Sequence, residues 1–177
     1  MALVVENGTG VTGADSYVDL TYLDAYHAAH GNAAWDEYLE EDKEAAARRA
    51  MLYIETFRYK GQRISVSQAC AFPRTGIITR DGLEWPEDAI PAVVKQAQAE
   101  GALREITNPG TLLPDWTPGK GPLRREKLGD IEEEWFKQDP NDGKYPFQSI
   151  LRLLADFIID PTADTSKTLY VFDVERA

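Results

Sequence analysis

Apolar residues recur at three- and four-residue spacings in four stretches of this chain, and those stretches set the expected architecture. The strongest runs from Asp42 to about Arg58, where Ala47, Ala50, Met51, Ile54 and Phe57 make one buried face. Before it, Leu20 to about His30 places Leu20, Leu23 and His27 along one side, with Tyr26 and His30 beside them. Asp19 suits the N-cap of that helix and Gly31 its stop. Pro91 suits the first position of a third helix, with Ile90, Val93, Val94 and Ala97 on its face, ending near Ile106 or Thr107 ahead of Asn108-Pro109-Gly110. The fourth spans about Pro146 to Ile159, with a stripe of Phe147, Ile150, Leu151, Leu154 and Ile158. Trp35 anchors a short helical turn between the first two.

Elsewhere the period shortens or vanishes. Residues 123–136 read as a hairpin, Leu123 to Leu128 and Ile131 to Phe136 around Gly129-Asp130, a two-residue turn of type II′. In that register Lys127 faces Glu132 and Arg125 faces Glu134, while Leu128, Ile131 and Trp135 take the other face. Gly61 to Gly82 is a connection with one helical turn at Ser67 to Ala71, and the prolines and glycines of 108–122 make a stiff loop. At residues 1–16 an apolar strand (Leu3, Val4, Val5) meets Gly8, Gly10 and Gly13, a density that favours a mobile arm. At the other end, polar Asp160 to Thr168 precedes Leu169-Tyr170-Val171-Phe172-Asp173-Val174. Leaving such a tip in water forfeits roughly 1.5–3 kcal/mol per large apolar side chain, so it is expected to be buried by the protein's own sheet, a neighbouring copy or a different protein. The fold class is therefore mainly α: a small helical bundle with an inserted β-hairpin and extended N- and C-terminal arms.

Composition narrows the function. The chain has 177 residues, enough for one core, and no apolar run long enough to span a bilayer. Its first residues lack the pattern of a secretion signal, and one cysteine, Cys70, allows no internal disulfide. Thirty acidic residues against nineteen basic ones give a net charge of −11. Proteins that grip nucleic acid neutralise phosphates with clustered Lys and Arg, so tight DNA binding is disfavoured as the main task. In the hairpin, a basic strand is answered by an acidic one.

The sequence offers few groups for chemistry. His27 and His30 lie three apart on one helix, but no motif supplies further ligands, and helix packing is the expected role. Cys70 precedes Phe72-Pro73 with no assigned base, and the acidic start of the second helix (Glu40, Glu41, Asp42, Glu44) reads as a solvated face. Gly8-Thr9-Gly10-Val11-Thr12-Gly13 lacks the Lys-Ser/Thr ending of a P-loop. The expectation is no catalytic residue, no cofactor and no metal site, hence not an enzyme. A small hydrolase requires His27 and Cys70, or a carboxylate pair, to converge in a cleft. Trp35, Trp85, Trp116 and Trp135 are the candidates for base stacking.

Five stretches together carry a family resemblance. They are Ala2 to Gly10 with Ala14-Asp15-Ser16-Tyr17-Val18, Asp24 to Asn32, Ala69 to Gly76, Ile90 to Ala97, and Arg125 to Glu132. In these the chain resembles tailed-bacteriophage proteins labelled DnaT-like single-stranded-DNA-binding proteins, which look like head-to-tail connectors, or adaptors. The resemblance implies a helical connector domain over 1–159, with N-terminal arm 1–16 and hairpin 123–136, and a C-terminal docking arm over 160–177. It implies a virion protein at the head–tail junction, assembled in the host cytoplasm. Its copies form a dodecameric ring between portal protein and a tail or nozzle protein, with DNA passing through without specific binding. Leu169, Tyr170, Val171, Phe172 and Val174 would dock on the portal; Arg125, Lys127, Glu132, Glu134 and Trp135 would contact neighbouring subunits; no membrane is involved. The alternative is a single-stranded-DNA-binding replication accessory, using Arg124, Arg125 and Lys127 with Trp135.

Overall fold

The protein is described by a computed structural model at residues 2–114, 123–127, 132–135 and 147–159, the two short strand segments by backbone alone. It is mainly helical: α1 (Leu20–Ala29), a 3-10 turn (Ala33–Glu37), α2 (Glu40–Glu55), α3 (Ala92–Thr107) and α4 (Gln148–Leu154). Two antiparallel pairs complete it, β1 (Gln62–Arg63) with β2 (Arg74–Thr75), and β3 (Leu123–Lys127) with β4 (Glu132–Trp135).

The helices form where the apolar period puts them. Asp19 caps α1 by accepting from the Tyr22 N–H at 2.7 Å, and Gly31 follows with a positive φ. Trp35 is fully buried on the 3-10 turn. α2 starts two residues ahead of the expected Asp42 and stops at Glu55, because the Thr56 hydroxyl bonds back to the Tyr53 carbonyl and tightens the end. Pro91 occupies the N-cap of α3 rather than its first turn. α4 ends at Leu154, short of Ile159; the chain then turns and runs beside residues 58–60, with Lys60 N–H on the Phe157 carbonyl (2.8 Å) and Ile159 N–H on Arg58 (2.7 Å). Ile158 is thus buried through a strand-like bridge to Tyr59 instead of a helical face.

α2 packs along α3, and α1 and α4 lie against α3. Gly101 makes the close approach possible: a Cβ there would lie 3.0 Å from the Ala50 Cβ. Ala46, Ala47, Ala50 and Ile54 of α2 share the core with Val94, Ala97 and Ala102 of α3 and Ile150 and Leu154 of α4. Phe72, Tyr59, Trp85 and Phe157 add an edge-to-face aromatic chain at the end where α2 stops.

Two expectations change. Residues 67–71 form no helical turn: the Gln68 side-chain amide donates to the Cys70, Ala71 and Pro73 carbonyls and its oxygen accepts from the Ser65 N–H, which holds that backbone open. The glycine-rich residues 7–13 are not a free arm but a closed loop. Glu6 is only 1% exposed, and its carboxylate accepts from the Gly8 and Gly10 N–H groups (2.9 Å each) and from Val11 (2.7 Å). Gly8 has φ +105° and leaves no room for a Cβ, which would sit 2.0 Å from the Asp88 carbonyl oxygen. Only glycine lets that loop press onto the 86–90 segment.

The expected hairpin register is present: Lys127 pairs with Glu132 and Arg125 with Glu134, with an irregularity between Leu123 and Arg125. The turn Gly129-Asp130, with Leu128 and Ile131, lies outside the described residues, as do Trp116, Pro146 and the whole arm 160–177 with Leu169, Tyr170, Val171, Phe172 and Val174.

Candidate assembly surfaces

A hidden reactive centre would show among the interior polar groups, and Gln98, Tyr17, Glu55 and Arg74 are engaged by the scaffold, while His27 Nε2 has no hydrogen-bond partner among the described residues. Gln98, fully buried on α3, accepts from the Tyr17 N–H (2.8 Å) and donates to Ser16 Oγ (2.8 Å) and the Ala47 carbonyl (3.0 Å), tying the N-terminal segment to both long helices. Glu55 accepts from the Tyr17 hydroxyl (2.5 Å) and the Ala71 N–H (3.0 Å). Burial, then the Glu55 charge, raises the Tyr17 phenol well above its ordinary value, so it serves as a donor and not as an acid near neutrality. Arg74 spans the carbonyls of Tyr59, Lys60, Gly61 and Ala71.

The candidates for chemistry do not converge. His27 is fully buried, its ring tilted by 40° against Trp35 with the centroids 4.2 Å apart, and its Nδ1 meets the Asn32 amide at 3.2 Å. Burial lowers its pKa, against the pull of Glu100 and Asp24, so the ring is neutral in the core. Cys70 is buried against the Ala14 carbonyl (3.6 Å), and burial pushes its thiol up to about 12. His30 is exposed and stacks on Tyr26 at 4.0 Å. Among the described residues no group of three or more His, Cys, Asp or Glu could hold a metal ion.

Nucleic-acid binding would need exposed cations and flat aromatic faces. In the described body the cations are largely engaged by the protein itself. Lys43 pairs with Asp24 (2.9 Å), Arg48 with Asp15 (2.7 Å), Arg49 with Glu105 (2.9 Å), Arg80 with Asp156 (2.9 Å) and Arg104 with Glu100 (2.7 Å). Lys60 donates to the Asp156 carbonyl. Trp35 is core, and Trp85 packs on Phe157 while its indole N–H donates to the Ala89 carbonyl. Trp35 offers no face for a base, and Trp85 is half-buried. Arg125, Lys127, Glu132, Glu134 and Trp135 stand on paired strands, and backbone register is what the structure gives for them.

What the surface does present is apolar. Val66 is fully exposed and Leu83, Leu39, Leu52 and Ile78 are each more than half exposed. Leu52 and Leu113 flank a shallow pocket of about 200 Å³ beside the Arg49–Glu105 pair. Leu39 stands with Glu40, Glu41 and Glu44 around a more open one of about 320 Å³. Periodicity could not find these residues, since they lie in loops or on the outer faces of helices. The one signal available was aliphatic side chains inside otherwise polar connections, Ile64, Val66, Ile78 and Leu83 among them.

No curated protein and no solved structure matches the chain. A family model does, across residues 1–177, and its description is "Putative DnaT-like ssDNA binding protein". The chain belongs to that family.

Proposed function

We propose that the chain is a structural subunit, not an enzyme, of a head-to-tail connector ring in a tailed-phage virion. Copies associate around the DNA path, with a portal protein on one side and a tail or nozzle protein on the other, and the C-terminal arm docking on the portal. The observation that carries this reading is the pairing of the body's own cations with its own carboxylates and carbonyls in a chain of net charge −11. A wall whose cations are largely spent on its own acids and carbonyls lets DNA slide, because each attraction to a phosphate would act as a brake. The exposed aliphatic side chains supply surface for protein contacts.

The family description favours a second reading, a single-stranded-DNA-binding accessory. Its surface would be the hairpin, with Arg124, Arg125, Lys127 and Trp135. Two measurements separate the readings. Electron microscopy of the purified protein with portal particles is expected to show rings seated on the portal. Anisotropy titration with a single-stranded oligonucleotide at low salt is expected to show binding no tighter than micromolar. Submicromolar, steeply salt-dependent affinity from a chain that never joins the portal supports the accessory and overturns the connector.

A further inference from the structure

Charge is unevenly distributed along this acidic chain. Residues 36–44 hold six acids, Asp36, Glu37, Glu40, Glu41, Asp42 and Glu44, against Lys43. Residues 58–85 hold five cations, Arg58, Lys60, Arg63, Arg74 and Arg80, against Asp81 and Glu84, and in the fold Glu55, Glu87 and Asp156 also meet this segment, at Arg63, Thr75 and Arg80. The two blocks flank the same helix. α2 begins in the acidic block at Glu40 and ends at Glu55, immediately before the basic one. Sixteen residues make a helix roughly 24 Å long, so α2 holds the blocks apart as opposite poles.

Contacts fix the basic block at its pole. Glu55, the last residue of α2, bonds the Ala71 N–H and lies 3.7 Å from the Arg63 guanidinium. β1 pairs with β2, and Gly61 fits under the Thr75 carbonyl, where a Cβ would lie 2.2 Å away. Residues 77–85 fold back through the Ile78–Glu84 bridge and the bond from the Trp85 N–H to the Ile77 carbonyl. The result is a small β lobe with Ile64, Val66, Ile78 and Leu83 outward. Its ion pairs are themselves exposed: the Arg80 side chain is 74% accessible and Arg63 45%. Exposed pairs are worth little and re-form easily with a new partner.

We propose that this lobe is a docking surface for a second copy of the chain, which presents the acidic pole of its α2 with Leu39 at the centre. The pole matches the lobe in both respects. It presents carboxylates where the lobe presents the exposed Arg63 and Arg80 guanidinium groups, and Leu39, 63% exposed beside Glu40 and Glu41, is the apolar residue that the lobe's aliphatic surface can cover. A lobe for single-stranded DNA would put aromatic rings between its cations; here Tyr59 and Phe72 are buried, Trp85 is packed on Phe157, and the outward residues are aliphatic. Because the two surfaces differ, the contact is heterologous, and repeated with closure it generates a ring. The inference rests on the connector reading and gives that ring its subunit contact.

The test uses the full chain, in which Cys70 is fully buried and leaves introduced cysteines as the accessible thiols. With a bismaleimide reagent, the Leu39→Cys/Val66→Cys chain is expected to give a ladder of covalent multimers, and either single variant none. Reversing the pole (Glu40→Lys/Glu41→Lys) or the lobe (Arg58→Glu/Arg80→Glu) is expected to weaken association in sedimentation velocity by about tenfold or more. An equimolar mixture of the two reversed chains should regain it, since each supplies the surface the other lost. Rings that persist without a ladder and ignore both reversals overturn this contact and leave the connector standing. A chain that stays monomeric, alone and with portal particles, overturns both. If lobe reversal removes oligonucleotide binding and leaves association unchanged, the lobe is a nucleic-acid surface and the proposal fails.

Discussion

The loop of residues 6–13 and the lobe of residues 58–85 are both irregular, glycine-punctuated connections, yet they resolve their polar and apolar groups in opposite directions. The loop turns its amide donors inward onto the Glu6 carboxylate and presses its backbone against residues 86–90. The lobe satisfies its backbone through Arg74 and Gln68 and turns four aliphatic side chains outward. A connection saturated from within behaves as scaffold. One that is internally held but apolar outside is built to be covered. Under the proposed docking, the glycine-rich segment serves stability and the lobe contact, the reverse of what glycine content alone suggests.

The largest expected effect comes from opening the loop. Glu6→Ala leaves three amide donors without their acceptor at a buried site, each costing about 1 kcal/mol or more unless water enters. The expected loss is about 3–4 kcal/mol, a drop of roughly 10 °C in melting temperature for a chain of this size. Thermal denaturation by circular dichroism checks it, with Glu6→Gln, which keeps two of the acceptor contacts, falling between the two. A melting temperature unchanged in Glu6→Ala would return residues 7–13 to the status of a free arm.

These two regions also show where sequence reading reaches its limit. α1, α2 and α3 were legible because a helix repeats its buried face every few residues, and the signals that bound α1, Asp19 and Gly31, act locally. The hairpin register was legible because reading Gly129-Asp130 as a two-residue turn leaves one alignment of Arg125 and Lys127 with Glu134 and Glu132, the pairing the strands show. The Glu6 loop was not, since its fold depends on one carboxylate finding three amides; a Glu followed by Gly at two and four positions on is the trace it leaves. β1 and β2 were missed because two-residue strands carry no period and meet across ten intervening residues. His27 was placed on the packed side of α1 by spacing, but its neighbours come from the 3-10 turn and α3, which periodicity within α1 cannot report. Of the proposed surfaces, spacing could place the hairpin charges but not say which side chains face another molecule.

A middle-sized effect is tied to that histidine, which belongs to neither region and so tests whether the scaffold behaves as a closed core. His27 is neutral when folded because burial lowers its pKa, whereas in the unfolded chain it takes up a proton near the unperturbed value of about 6.5. The unfolded state therefore binds more protons as pH falls through that value, and stability is lost on acidification, by at most about 1.4 kcal/mol per pH unit. Asp24 and Glu100 face the ring. Both are pulled below the ordinary carboxylate range despite burial, by hydrogen bonds from Lys43 and Trp35 and from Arg104 and Tyr26 respectively, so their protonation falls at lower pH. Urea denaturation between pH 7.5 and 5.5 should show the slope in the native chain and a flatter one in His27→Gln. Equal slopes would mean that the ring is not held neutral.

The smallest effect on stability, and the sharpest on the comparison, belongs to the lobe. Val66→Ser and Leu83→Ser alter side chains that the subunit itself hardly covers, so each should change folding stability by no more than about 0.5 kcal/mol. The melting temperature should stay within about 2 °C of the native value. If the outward aliphatic residues exist to be covered, the same two substitutions should weaken self-association in sedimentation velocity while the fold is untouched. Loss of stability without loss of association would show that these side chains serve the subunit's own core. The lobe would then be scaffold of the same kind as the Glu6 loop, and the contrast between the two regions would vanish.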